Sequence, residues 1–457
     1  MAIRDGLLPY CVIGAGPAGL AALKNFLHRG IPAVGFERED DVGGTWYYGK
    51  SSSSVYQSTH LISSKRMTEF PDFPMPREYP PYPSHSQACA YLRGYATRFG
   101  LYDRIRFRTS VTRVEPTGGE GWWVTTDDGR PAQRFRGVIV ANGHHWDPRW
   151  PELPGRFDGT LLHAREYKTP EILAGRRVLV IGAGNSGCDI AVESAQYAAA
   201  TFLSLRRGYH FLPKFLLGTP IDSGGEWLRR RGVPLWMLKL WTRLLVHVAL
   251  GAPERYGLPR PDHRLFETHP IVNSQLLYQV GHGRVQIRQA VAELRGDRVR
   301  FTDGREEPVD VIVCATGYRV SFPFLPPGLV ETDAGPPNLY LQAFHPVHDD
   351  FFVAGLIQPN SGLWPLADYQ TRVMAAFVAA QQFHPATADW FHRLKAQPNP
   401  DLGNGLRFDR SPRHQIEVEY YSYRERLRRL LARFDRVLPA QAIPLPESSP
   451  VFAPAQA

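Results

Sequence analysis

The amino-acid sequence predicts an α/β fold made of two related nucleotide-binding units, the second carrying a helical insertion, and three observations predict it. Two glycine-rich turns, Gly14-Ala15-Gly16-Pro17-Ala18-Gly19 and Gly182-Ala183-Gly184-Asn185-Ser186-Gly187, each follow a short apolar run. Each is answered downstream by the same pattern, a hairpin and then an apolar strand that returns to a glycine. Trp123–Gly129 leads to Val138–Gly143, and Val299–Gly304 leads to Val311–Gly317. A repeat of this kind marks a duplicated unit rather than one real motif and one accident. Between the two turns, Phe157–Tyr167 stands as a joint.

At 457 residues the chain exceeds the roughly 250–300 at which one core stops growing, so two or three domains are expected. Four cysteines, Cys11, Cys89, Cys188 and Cys314, are scattered without metal-ligand spacing and read as buried thiols in a reducing compartment. The net charge of +9 is spread along the chain, which favours a solvated surface over a nucleic-acid partner. Asp5 and Pro9 interrupt any leader-like apolar core, and no apolar run reaches the ~18 residues of a membrane span, so a cytoplasmic protein is expected.

In the first unit, Tyr10–Ile13 reads as a buried strand and Ala18–His28 as an amphipathic helix after the turn. Gly14 permits the tight bend, Gly16 lets a pyrophosphate approach the backbone, and Gly19 lets helix and strand pack closely. The start of the helix offers free N–H groups and its positive dipole end. A second strand from Ala33 ends in Glu37, at the distance where a carboxylate accepts both ribose hydroxyls. Then come Gly43-Gly44-Thr45-Trp46, where paired glycines admit something flat, and a helix from Ser86 to Phe99.

The second unit has no acid in the place of Glu37. Ser204, Arg206 and Arg207 stand there instead, and paired charge-assisted bonds from arginine suit a ribose 2′-phosphate. The nucleotides expected are therefore FAD, or another with free ribose hydroxyls, in the first unit and NADPH in the second. Within the insertion, Trp236–Leu250 is apolar except for a stripe of Lys239, Arg243 and His247, preceded by Arg229-Arg230-Arg231. Such a helix can lie on an anionic membrane or line a channel. A partly buried helix with one solvated edge is the plainer expectation. Phe351–Gly355 should complete the first unit, and a helix from about Ala367, with Gln370 in its first turn, should present its N-terminus to a reduced flavin ring.

The combination of Gly14–Gly19, Phe36-Glu37-Arg38, Gly43–Trp46, Phe157-x-Gly159-x3-His163-x3-Tyr167, Gly182–Gly187 and Ala315-Thr316-Gly317 resembles the flavin-containing monooxygenases, over residues 10 to about 375. The resemblance implies a two-domain Rossmann-like fold and a single-chain enzyme using FAD, NADPH and dioxygen. It implies that Gly14, Ala15, Gly16, Pro17, Ala18, Glu37, Thr45, Trp46 and Ser63 contact FAD; Gly19 and Gln370, read from the turn and the helix start, and Ile62, in the family's Asn position, complete the expected FAD site. Gly182, Gly184, Asn185, Ser186, Gly187, Ser204, Arg206 and Arg207 would hold NADPH. The central fingerprint would brace the linker, with His163 structural. Tyr167 resembles the monooxygenases proper, where the related Baeyer–Villiger enzymes carry Trp. Leu61-Ile62-Ser63-Ser64-Lys65 departs from the family's Thr-Asn-Ser-Ser-Lys, and an isoleucine cannot supply the amide hydrogen bond expected near the flavin.

The reaction implied is oxygenation of a soft nucleophile, an amine nitrogen or sulfide sulfur, by a flavin C4a-hydroperoxide, with the cofactor carrying the difficult chemistry. Ile62 predicts a leak of peroxide, or another group in the role of the missing amide. A Baeyer–Villiger ketone oxygenase, an uncoupled NADPH oxidase and a nucleotide-binding sensor are the competing readings; a disulfide reductase would need a Cys-x-x-Cys that the sequence lacks. The domains expected are 1–168 for FAD, 169–318 for NADPH with the insertion at about 218–285, 319–438 returning to the FAD domain, and a tail at 439–457. The partners expected are a small nucleophile and dioxygen, with no nucleic acid and no metal; a peripheral membrane contact through 229–250 and a homodimer stay open.

Overall fold

The computed structural model describes residues 8–269, 271–332, 335–406, 408 and 414–438, so the 439–457 tail lies outside the described residues. The chain forms two compact units: residues up to 53, 65–144 and from 320 onward make the first, and residues 54–64 with 145–319 make the second.

The first unit is built on a five-stranded sheet in the order Phe351–Val353, Gly137–Val140, Tyr10–Ile13, Ala33–Phe36, Ile105–Arg106, with every neighbouring pair parallel. Parallel sheets are covered on both faces, and accordingly the two central strands are buried at every residue. The helix Pro17–His28 starts on a proline, whose missing N–H costs nothing in a first turn. The helix His85–Arg98 is opened by a capping box between Ser84 and Gln87. The hairpin read from Trp123–Gly129 belongs to a three-stranded antiparallel sheet, Val111–Pro116, Trp122–Thr126 and Gln133–Phe135. The long helix Trp364–Phe383 begins three residues before the expected Ala367, because Pro365 is tolerated in its first turn.

A buried histidine of this unit sets a pH dependence. His345 Nδ1 accepts from the backbone N–H of Val347 and His348, and burial, followed by the charges of His348 and Lys395, lowers its pKa from 6.5 to about 4. The folded state therefore takes up this proton less readily than the unfolded chain. Its stabilising effect is complete above about pH 6.5 and is lost as pH falls from there toward 4. His345→Asn keeps an acceptor that does not titrate, so the fall in melting temperature across that window, followed by circular dichroism, is expected to flatten.

The second unit repeats the sheet in the order Thr160–His163, Val311–Cys314, Arg177–Ile181, Ala200–Ser204, Val285–Arg288, again all parallel. Here the boundary differs from that read at 168. Thr160–His163 pairs along its whole length with Val311–Cys314, so the chain joins this unit from residue 145. Segment 54–64 also belongs to it: Gln57 N–H donates to Lys168 O, and Tyr56 stacks obliquely on Tyr167 with ring centroids 5.6 Å apart.

The insertion contains the hairpin Phe215–Leu216/Thr219–Pro220 and the helices Ile221–Arg230 and Leu235–Leu250. The plainer expectation for the second helix is overturned. Its apolar residues Trp236, Leu240, Trp241, Leu244, Leu245 and Val248 are exposed along with Arg243 and His247, and among its described side chains only Leu238 is buried. The side chains of Arg229, Arg230 and Lys239 lie outside what the structure describes.

Candidate nucleotide sites

In the first unit the glycine turn closes against the end of the Gly137–Val140 strand. Gly14 has φ +102°, and a Cβ there would lie 2.6 Å from Ala141 O. A Cβ on Gly19 would lie 1.9 Å from Gly14 O, so the helix can sit on the turn only because this residue has no side chain. Gly16 caps the helix without a side-chain hydrogen bond, which leaves the first-turn N–H groups for an anionic ligand. Pro17 and Ala18 then form its first turn.

Glu37 follows the second strand and is buried. The Ala15 N–H donates to its Oε2 at 2.7 Å and the Glu39 N–H to its Oε1 at 2.9 Å. Burial raises its pKa, and these two N–H bonds work against that rise. Each oxygen keeps a further lone pair, so the oriented carboxylate fits a pair of ribose hydroxyls. The backbone of residues 43–46 reaches the same turn. Gly43 N–H donates to Ala15 O, and a Cβ on Gly44 would meet Gly16 Cα at 3.0 Å. Thr45 O accepts from the Ser53 hydroxyl, and Trp46 meets Trp364 edge to face at 5.9 Å. The backbone approaches and the acid thus fit the adenosine end of FAD.

Gln370 needs a correction. It is fully buried and its amide is already committed, with Oε1 accepting from Gly355 N–H at 2.9 Å and Nε2 donating to Tyr423 Oη at 2.7 Å. It braces the loop before its helix instead of reaching toward a cofactor.

The second turn reproduces the first. Gly182 has φ +101°, a Cβ on it would lie 2.7 Å from Ala315 O, and a Cβ on Gly187 would lie 2.0 Å from Gly182 O. Gly184 caps the helix Asn185–Tyr197, and Asn185 Oδ1 accepts from Val272 N–H at 2.8 Å, with Ser186 beside it in the first turn. Strand register places Ile13 opposite Phe36 and Ile181 opposite Ser204, so Ser204 is the counterpart of Phe36 and Leu205 that of Glu37. Ser204 is therefore also corrected: it is buried and its hydroxyl donates to Gln289 O at 2.8 Å. Arg206, exposed, and Arg207, whose guanidinium lies 5.7 Å from the Tyr209 ring, come next. They lie one and two residues past the position that Glu37 holds in the first unit and supply cationic donors there, which fits a phosphorylated ribose.

The fingerprint residues do structural work. His163 Nδ1 accepts from Arg165 N–H, which assigns the ring proton to Nε2, and that nitrogen donates to Gly317 O at 3.1 Å. Burial lowers its pKa, keeping it neutral. Tyr167 Oη donates to Glu193 at 2.6 Å.

Ile62 and Ser63, half-buried, lie in segment 54–64 and so belong to the second unit. Next to them, the Ser64 N–H donates to Asp222 Oδ2 at 2.7 Å and its hydroxyl meets that of Ser223 at 3.0 Å. Asp222 is mostly buried, and burial raises its pKa. It went unread in the sequence, because nothing in its neighbours announces a partner 158 residues away. Asp189 was also missed. Half-buried on the Asn185–Tyr197 helix, it accepts from Tyr56 Oη at 3.0 Å and Asn273 Nδ2 at 2.6 Å. An acid inside an apolar helix stripe was the available signal.

A model of the flavin-binding monooxygenase-like family matches residues 9–435. Flavin-containing monooxygenase 5 of Rattus norvegicus is 34% identical over 447 residues, covering 91% of this chain and 81% of the relative. Dimethylaniline monooxygenase [N-oxide-forming] 2 of Macaca mulatta is 36% identical over 388 residues, covering 79% of this chain and 71% of the relative. Among solved structures, cyclohexanone-bound cyclohexanone monooxygenase superposes with a TM-score of 0.68 at 19% identity, over 94% of this chain and 98% of that one, a likeness of fold.

Proposed function

Since this chain belongs to the flavin-binding monooxygenase-like family, we propose that it oxygenates soft nucleophiles, an amine nitrogen or a sulfide sulfur, with electrons from NADPH. The chain is a flavoprotein monooxygenase whose cofactors are FAD and NADPH. Bound FAD supplies the reduction of dioxygen and the transfer of one of its atoms to substrate. The chain's own residues bind, orient and shield.

The observation that carries the reading is the contrast between two repeated turns. Glu37, aligned by two N–H donors, favours a ribose with free hydroxyls, whereas Arg206 and Arg207 favour one bearing phosphate. In this reading Gly14–Gly19 and Glu37 seat FAD, and Gly182–Gly187 with the two arginines seats NADPH. Charge-assisted bonds to phosphate are worth about 1.5–3 kcal/mol. Arg206→Ala and Arg207→Ala are accordingly expected to raise KM for NADPH roughly tenfold or more each, and to leave KM for NADH unchanged, in steady-state oxidation assays.

Nucleophile oxygenation is favoured over ketone oxygenation by the N-oxide-forming relative, which is 36% identical, and by Tyr167 in the fingerprint. The test is NADPH consumption and product analysis with a tertiary amine, an aryl sulfide and a cyclic ketone. N-oxide or sulfoxide formation supports the reading. Lactone as the sole product replaces it with Baeyer–Villiger chemistry. Ile62 offers no hydrogen bond, so part of the NADPH consumed should appear as hydrogen peroxide, and Ile62→Asn should lower that share severalfold. Full coupling in the unaltered enzyme, with no effect of Ile62→Asn, would contradict the role given to this position.

A further inference from the structure

Beside the arginines of the second unit stands an acid to which neither glycine turn gives a role. The loop after strand Ala200–Ser204 carries Arg206 and Arg207, and segment 259–263 crosses it so closely that Gly208 pairs with Pro261 in a parallel bridge. A Cβ on Gly208 would lie 2.3 Å from Pro259 O and 2.4 Å from Arg260 O, so only a residue without a side chain permits the crossing. Tyr209 joins the two stretches of chain. The Arg207 guanidinium lies 5.7 Å from the centre of its ring, and the His263 ring meets the same ring edge to face at 6.4 Å. His263 is itself held at three points: Asp262 Oδ1 lies 2.7 Å from Nδ1, Thr268 Oγ1 lies 2.9 Å from Nε2, and His210 Nε2 donates to the His263 carbonyl at 2.8 Å.

Charge gives this crossing a consequence for the ligand. The bond from His263 holds the Asp262 carboxyl below the usual carboxylate range, and the charge of Arg207 acts in the same direction against a small opposing effect of burial. Asp262 is therefore an anion at neutral pH, with its side chain 57% exposed. Arg260, on the same segment, pairs with Glu254 Oε1 at 3.8 Å. A ribose 2′-phosphate carries nearly two negative charges at neutral pH and needs the cation that Asp262 partly neutralises. A ribose with a free 2′-hydroxyl carries no charge there and is indifferent to both groups.

We propose that Asp262 is a specificity-determining residue of the second nucleotide site, its carboxylate competing with the 2′-phosphate for Arg207 and so narrowing the preference for NADPH over NADH, a role that rests on Arg207 holding that phosphate. The test is Asp262→Asn in the holoenzyme, because the amide oxygen still accepts from His263 and only the charge is lost. KM for NADPH is expected to fall about fivefold, the scale of one partly screened charge, and KM for NADH to stay unchanged. Calorimetry should show adenosine 2′,5′-bisphosphate binding tighter by the same factor and adenosine 5′-monophosphate binding as before, with the gain shrinking as salt is raised. In an Arg207→Ala background the gain should drop below about twofold, since the contested cation is gone. Equal changes for both nucleotides, no change for either, or a gain of full size without Arg207 overturns the proposal. So does a rise in KM for NADPH, which would make Asp262 a support for Arg207. These outcomes leave the phosphate assignment standing as long as Arg207→Ala alone weakens NADPH; if it does not, the assignment fails and the role of Asp262 falls with it.

Discussion

Gly19→Ala is expected to yield a protein that purifies without flavin, and Gly187→Ala one that stays yellow but is no longer reduced by NADPH at ordinary concentrations. The added carbon would lie 1.9 Å from Gly14 O in the first case and 2.0 Å from Gly182 O in the second. Overpacking costs about 1–3 kcal/mol where a side chain can yield. Here the obstructing atom is a backbone carbonyl at the bend, so the helix must lift off its turn and carry away the N–H groups that face the phosphates. Affinity for the nucleotide of the altered unit should fall on the order of a hundredfold, about 2.7 kcal/mol. The ratio of visible to ultraviolet absorbance reads the first variant and single-turnover reduction by NADPH the second. If both variants lose flavin to the same extent, or if Gly187→Ala is reduced normally, the assignment of one nucleotide to each turn is wrong.

Lys24→Met is expected to cost about 3–5 kcal/mol of the first unit's stability, the usual loss when one partner of a buried ion pair is removed. Lys24 is 1% exposed, and its ammonium bonds Asp368 Oδ1 at 2.9 Å and also Asp72. Asp368, with no exposed surface, also accepts from Asn25 and pairs with Arg372 Nε at 2.7 Å. This network ties the Pro17–His28 helix, which follows the first glycine turn, to the Trp364–Phe383 helix. Without Lys24, Arg372 must balance two carboxylates alone. Asp368→Asn added to Lys24→Met should recover part of the loss, because it removes the buried charge left behind. Urea unfolding of the single and double variants measures both, and additive losses would show that the pair is not coupled.

Much of this molecule was legible because its signals are local. A strand, a bend that demands glycine, and a helix beginning on proline are encoded within ten or so residues, and the structure places Tyr10–Ile13, Pro17–His28 and Ala33–Phe36 where the sequence put them. The contrast between Glu37 and the pair Arg206, Arg207 was legible for the same reason. Ser204 and Gln370 were misread because a polar residue beside a nucleotide turn can face the ligand or brace the loop, and only a distant acceptor, Gln289 O or Tyr423 Oη, determines which.

By itself, then, the sequence determined the duplicated α/β unit, the two turns and the sign of the charge beside each, since all depend on backbone conformation and residue type over short stretches. Tertiary structure alone decided that 145–168 and 54–64 join the second unit, that Asp189 and Asp222 meet partners far along the chain, and that the Leu235–Leu250 helix turns its apolar face outward. An amphipathic pattern states that a helix has two faces. Which face is covered depends on what else the chain brings to it, and that is settled by packing between residues widely separated in sequence.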